Sequence, residues 1–453
     1  MTSETTATSS PVSTQPLCDV LVIGGGPAGS TVSTLLARRG YDVVLVEKDR
    51  HPRFHIGESL LPANLPLLDE LGVGEQVRAI GMVKRAAEFE SPWHEHNQRF
   101  QFGEGWNKDI PHAYHIHRAP FDEILLRNAE RSGVRVFETC RLEELDLESD
   151  PQRATASARH ETLGKLDFQP RFVVDASGRD TFLANRFQIR HRNPKHSSLA
   201  IYGHFAGARR HPGEAAGYIT IYWFDHGWFW FIPLHDGVTS VGMVAWPYFM
   251  KTRGGRSLEQ FLMDGIASTP KLAERLAGAK LVRAVEATGN FSYTSERNHG
   301  RNYVMVGDAY AFIDPVFSAG VWLAMRGAVA AAEAVDTCLR TPAQSAAALR
   351  RFDKLIRHGP SKFSWLVYRM TNPVMRDLLM APRNTFRMQE AMVSMLAGDI
   401  FGNTPIWKSI TAFKWIYYIS SVLQPRTSWR AWRQRKINIR PVGGLVESTG
   451  EVR

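Results

Sequence analysis

Asp19-Val20-Leu21-Val22-Ile23-Gly24-Gly25-Gly26-Pro27-Ala28-Gly29 is the stretch that decides how this chain folds. An apolar run without alternation, ended by glycines, reads as a strand buried on both faces of a parallel sheet. Gly24 permits a tight turn, Gly26 lets the backbone approach a pyrophosphate, and Gly29 lets helix and strand pack closely. A helical pattern over 30–39 follows, and its N-terminus offers unpaired N–H groups and a positive dipole end to phosphates. A second strand over 41–46 delivers Glu47, whose carboxylate suits ribose hydroxyls at that spacing. Gly24, Gly26, Pro27, Ala28, Gly29 and Glu47 are therefore the candidate cofactor contacts. The expected fold is α/β and Rossmann-like, and this segment alone does not separate FAD from NAD.

Two later segments repeat the form of a strand delivering a small, acidic turn: Val173-Val174-Asp175-Ala176-Ser177-Gly178 and Val304-Met305-Val306-Gly307-Asp308-Ala309. The second runs into a helix over 321–339, whose start can face a pyrophosphate or a flavin ring edge. Arg118 lies in His117-Arg118-Ala119-Pro120-Phe121-Asp122, where it can also form an ion pair with Asp122. These segments resemble flavoproteins of the hydroxylase-like fold. The resemblance implies FAD, with Asp308 on its ribityl chain and Arg118 in the matching arginine motif. No second G-x-G-x-x-G opens a helix after a strand, so no dedicated NADPH domain is evident.

Trp228-Phe229-Trp230-Phe231-Ile232-Pro233 places two tryptophans at i and i+2, on one face of a strand. Each can bury about 150–250 Å² and so help build a wall. Phe312-Ile313-Asp314-Pro315-Val316-Phe317-Ser318-Ala319-Gly320 has small residues at a helix start, where backbone N–H groups can cradle an anion. Together the two motifs resemble the flavin-dependent halogenases. By that resemblance Trp228, Trp230, Ile232, Pro233, Phe312 and Pro315 form a partition and tunnel, while Ser318, Ala319 and Gly320 hold chloride or bromide. The oxidant made from reduced FAD, oxygen and halide then travels as hypohalous acid to a separate substrate. A separate flavin reductase supplies the reduced FAD. The alternative is a flavin-dependent monooxygenase or isoprenoid-type reductase of the same fold, which carries a similar aromatic element. A third class is a flavin-bound partner that holds a biosynthetic complex together.

The same resemblance implies a catalytic lysine. Gly57-Glu58-Ser59-Leu60-Leu61-Pro62 matches the segment that precedes it, and Lys84-Arg85-Ala86-Ala87-Glu88-Phe89 places Lys84 in the role, with Ala86 where the family has glycine. An ungapped alignment would offer Arg85, an always-charged group poorly suited to it. Burial can lower a lysine pKa by up to 3–5 units, which would supply a free amine. Tryptophan halogenases place a glutamate where this chain has Phe317. The expected substrate is accordingly an activated aromatic, phenolic or pyrrole-type, free or tethered to an acyl or peptidyl carrier protein, as in the carrier-protein and phenol-type halogenases.

Composition narrows the setting. The chain has 453 residues, a net charge of +10 and 11% aromatic residues. Residues 1–16 are Ser/Thr-rich without an apolar core and read as a disordered tail. Cys18, Cys140 and Cys338 show no metal-ligand spacing and cannot make a disulfide framework, which points to a reducing cytoplasm. His94, His96, His112, His115 and His117 cluster without a complete ligand set, and His115 and His117 would share a strand face. Residues 424–440 hold six basic side chains, no acidic ones, and Trp429 and Trp432, with no nucleic-acid motif nearby. An acidic carrier protein would complement that patch. Lys408 and Lys414 interrupt the apolar stretch 406–423, so a buried helix is expected there, with an interfacial helix second.

The expected organisation is a discontinuous Rossmann-like FAD-binding domain of the flavin hydroxylase type over 17–84, 113–190 and 285–340. A mixed β-sheet substrate domain over 85–112 and 191–284 and a helical region over 341–453 complete it.

Overall fold

In a computed structural model, which describes residues 17–289, 292–402 and 404–439, the apolar run becomes the strand Leu17–Ile23. It pairs in parallel with Val43–Val46 on one side and with the end of Gly164–Asp175 on the other, Val22 standing opposite Leu45 and Val174. Arg135–Phe137 and Tyr303–Met305 extend the parallel order outward. Helix Pro27–Ala37 begins with proline, whose missing N–H costs nothing at a helix start. It packs on Arg118–Arg131 and on Gly320–Arg340. The first half of Gly164–Asp175 leaves this layer to pair antiparallel with Thr155–His160.

The glycines do what the turn demands. Gly24 has φ +101°, and a Cβ there would stand 2.5 Å from the Ala176 carbonyl oxygen. One on Gly29 would stand 1.8 Å from the Gly24 oxygen. Gly26 is open instead: the nearest atom to such a Cβ is Arg53 Nη2 at 3.8 Å, so its backbone is free to meet a ligand.

A second, mixed sheet of eight strands carries the tryptophan strand Gly227–Pro233 between Ile219–Phe224 and Val238–Ala245. Ala86–Glu90 joins the sheet in parallel with Ile219–Phe224. Glu286–Thr288 also pairs into it, through Leu199–Ala206, so the sheet reaches beyond the expected boundary at 284. Along Gly227–Pro233 the side chains alternate. Phe229 and Phe231 enter a satellite core with Phe261 and Leu262, while Trp228, Trp230 and Ile232 join the main core.

From 341 onward every described element is a helix. The layer is rich in buried methionine: Met370, Met375, Met380, Met388, Met392 and Met395. The stretch 406–423 is the helix Ile406–Leu423, but it is not buried as expected: Ile406, Ile410, Phe413 and Tyr417 face inward, while the opposite face is exposed. No helix among the described residues is long and apolar enough to cross a membrane. Residues 1–16, and Arg440 at the end of the basic run, lie outside the described residues.

Candidate active site

A cleft of about 1680 Å³, its open mouth included, runs between the two sheets. Its lining, from the glycine turn to the tryptophan strand, is long enough to take an extended ligand such as a dinucleotide. At one end lie Gly24, Gly26, Pro27, Ala28 and Glu47; at the other, Trp228, Trp230, Ile232, Phe312, Pro315, Ser318 and Gly320; Arg118 and Asp308 also line it. Gly29 packs beneath the turn, Pro233 ends its strand outside the lining, and Ala319 lines a smaller space on the far side of the loop.

The phosphate end is built around Asp122, which is fully buried. Arg118 Nε and Nη2 donate to its two oxygens at 2.8 and 2.9 Å, and Arg53 Nη1 donates at 3.1 Å. Burial alone would raise this carboxyl; the guanidinium of Arg118, seconded by Arg53, holds it below its usual value. The ion pair read from sequence exists, and it fixes a cleft residue. Two cations anchored by one anion leave positive charge beside the open backbone of Gly26, which fits a pyrophosphate. Arg53 was not singled out by sequence reading, because its link to Asp122 spans 69 residues.

Glu47 accepts from the Gly25 amide at 2.6 Å and the Asp49 amide at 2.9 Å, which fixes a carboxylate where ribose hydroxyls would sit. Asp308 is half-buried at the cleft. Burial pushes its carboxyl up to about 6, against the pull of Arg179 and Arg118. Above that value the carboxylate accepts hydrogen bonds, which fits a polyhydroxylated chain. Cradle, cations and acceptors thus fit FAD.

At the other end, Asp314 accepts from the Val316 amide at 3.0 Å, and Ser318 takes a left-handed φ of +56° before helix Gly320–Arg340 starts. Trp228 and Trp230 lie 6.1 Å apart between ring centroids. Trp230 Nε1 donates to Ser240 Oγ at 3.1 Å, and its ring lies over Gly242. Phe317 is buried against Phe363.

Lys84 is 2% exposed. It ends the strand Met82–Lys84, which pairs with Ala113–His115. Its amine donates to Ser59 Oγ at 3.0 Å and to the Leu60 carbonyl at 3.1 Å, beneath the Phe102 ring. Burial lowers its pKa from 10.5 to about 7. Arg85, the other alignment's candidate, turns outward toward Glu214. Ala86 sits without strain as the first residue of its strand. Lys84 does not itself line the cleft; Ser59 does.

The histidines disperse. His115 Nε2 faces the Gly217 carbonyl, and His117 lies beyond the strand against Asp236, so the two do not share a strand face. Among the described residues no three His, Cys, Asp or Glu side chains converge on a metal position. Two buried pairs escaped sequence reading. Glu58 meets His204 at 2.7 Å, across 146 residues, and His196 meets Asp314 at 2.7 Å, with Ser198 donating to the same oxygen. The Gly57-Glu58-Ser59 segment was the only signal for the first.

Comparison with known proteins agrees with this geometry. The tryptophan halogenase family model matches residues 19–109 and 101–372. A tryptophan 2-halogenase of Chondromyces crocatus is 37% identical over 74% of this chain, and the match spans 64% of that relative's length. A Pseudomonas fluorescens chlorinase of 1H-pyrrole-2-carbonyl on a peptidyl-carrier protein is 29% identical over 84% of this chain and 89% of its own. The solved myxobacterial chondrochloren halogenase superposes with a TM-score of 0.73 at 32% identity, covering 87% of this chain and 92% of that one. This chain belongs to the flavin-dependent halogenase family, a group of FAD-dependent enzymes.

Proposed function

We propose that this protein halogenates an activated aromatic ring, phenolic or pyrrole-type, using reduced FAD, oxygen and chloride or bromide. The observation that carries the reading is Lys84: a buried amine bonded to Ser59, which lines the same cleft as Trp230 and Ser318. Bound FAD, delivered reduced by a separate flavin reductase, supplies with oxygen the oxidising power that turns halide into hypohalous acid. The halide rests at Ser318, Ala319 and Gly320. Trp228, Trp230, Ile232 and Pro233, with Phe312 and Pro315, keep the ring being modified away from the flavin. Lys84 acts through Ser59, whose hydroxyl lines the cleft and holds hypohalous acid by its oxygen. The halogen–oxygen bond breaks as the carbon–halogen bond forms, and hydroxide leaves with the ring proton as water.

Phe317 supports an activated ring over free tryptophan, because a buried phenyl group has no negative charge to set against a cationic intermediate and no atom to take its proton. The relative that acts on a carrier-borne pyrrole supports a substrate presented by a carrier protein as well as a free one. Free Cys18, Cys140 and Cys338 suit the cytoplasm.

The test is reduction of FAD with a reductase in the presence of air, chloride or bromide, and a panel of phenols and pyrroles. The expected product gains halogen, and Lys84→Ala lowers its yield at least about a hundredfold with FAD still bound. Oxygen insertion in place of halogen, or full yield from the variant, would sink the reading.

A further inference from the structure

Helix Ile406–Leu423 is apolar on two opposite stripes, the outer one shared with exposed Lys408, yet it is covered on one side only. At 100° per residue, Ile406, Ile410, Phe413 and Tyr417 form its inner stripe. Trp415, Ile419 and Val422 fall on the opposite stripe, with Leu423 at its edge, and all four are exposed. Val422 and Leu423 are each 76% exposed, so they stand out from the surface at the corner where the next helix, Pro425–Asn438, begins. That helix adds exposed Trp429 and Trp432. Cations lie over both indoles, Arg433 at 4.6 Å and Lys436 at 3.6 Å.

Charge identifies the occupant. Residues 406–438 contain seven basic side chains and no acidic one. Among the described residues none of the seven pairs with a carboxylate; Arg435 reaches a backbone carbonyl, that of Lys195. Aliphatic side chains projecting at a corner, tryptophans flanking them and long cationic chains around them match the polarity profile of a lipid headgroup boundary. A carrier protein would supply the acidic charge too, but protruding Val422 and Leu423 would need a preformed pocket in it, whereas lipid tails accept them without one.

We propose that this corner docks the protein onto the surface of an anionic lipid bilayer, Val422, Leu423 and Trp429 entering the interface and Arg426, Arg430, Arg433 and Lys436 meeting the headgroups. The inference stands apart from the reaction proposed above. The test is flotation of the full chain, FAD-loaded, with phosphatidylcholine vesicles and with vesicles that also contain phosphatidylserine. Binding to the anionic vesicles is expected to be at least about tenfold tighter, and weaker at high salt. Val422→Glu with Leu423→Glu, and separately Trp429→Ala with Trp432→Ala, should each cut it about tenfold while FAD absorbance is unchanged. Three results overturn the proposal: failure to float with anionic vesicles, unchanged flotation of both variants, or a patch whose substitution abolishes only self-association or carrier-protein binding.

Discussion

The amine of Lys84 carries a cost that can be read out. Burial lowers its pKa from 10.5 to about 7, so from about pH 7 to 10 the unfolded chain holds a proton the folded one lacks. Stability therefore rises with pH across that window, and the penalty is full below it. Lys84→Met removes the charge, and it should raise stability at pH 7 by about 1–3 kcal/mol, with the gain shrinking toward pH 10. Denaturation of both forms at the two pH values checks this; an equal gain at both would deny the lowered pKa. Asp308 has the opposite sign. Its carboxyl sits at about 6, above the ordinary 3.8, so the folded chain binds the extra proton between about pH 4 and 6 and stability falls as pH rises through that range. Asp308→Asn should stabilise the FAD-free protein above pH 6 by on the order of 1–3 kcal/mol, yet weaken FAD binding about tenfold. Titration with FAD and denaturation without it separate the two effects.

The strand Gly227–Pro233 shows what an element can reveal in advance. Its period-two aromatic pattern assigns Phe229 and Phe231 to one side and Trp228 and Trp230 to the other, and the structure keeps that division. What the pattern could not reveal is that the Trp230 ring needs Gly242 on the neighbouring strand. A Cβ on Gly242 would stand 2.1 Å from Trp230 Cζ2. Gly242→Ala must therefore push the indole aside, at about 1–3 kcal/mol. If that ring is part of the partition, hypohalous acid should leak: a freely diffusing acceptor in solution should gain halogen at the expense of the native product. An unchanged product ratio in a destabilised variant would leave the ring only a packing role. Helix Ile406–Leu423 was half legible for a related reason, since its composition reports apolarity but not which side finds a neighbour.

Across the whole molecule, the parallel layer was legible because it is local: the strand, turn and helix of residues 17–37 follow one another in the chain. The site's second half was less so, because its pairs join segments far apart, such as Glu58 with His204 and Arg53 with Asp122. No window of sequence contains both members, and each residue alone resembles an ordinary surface charge. The layer of buried methionines behind the site has a consequence of its own. Met370 borders the small space on the far side of Trp228, and five more buried methionines belong to the helices that follow it in the chain. Thioethers are quick to take oxygen from electrophilic oxidants, and each one so altered turns polar within a packed layer. A reagent that strays past Trp228 into that space would meet Met370 and wear the enzyme down from within, so working lifetime becomes a count of escapes.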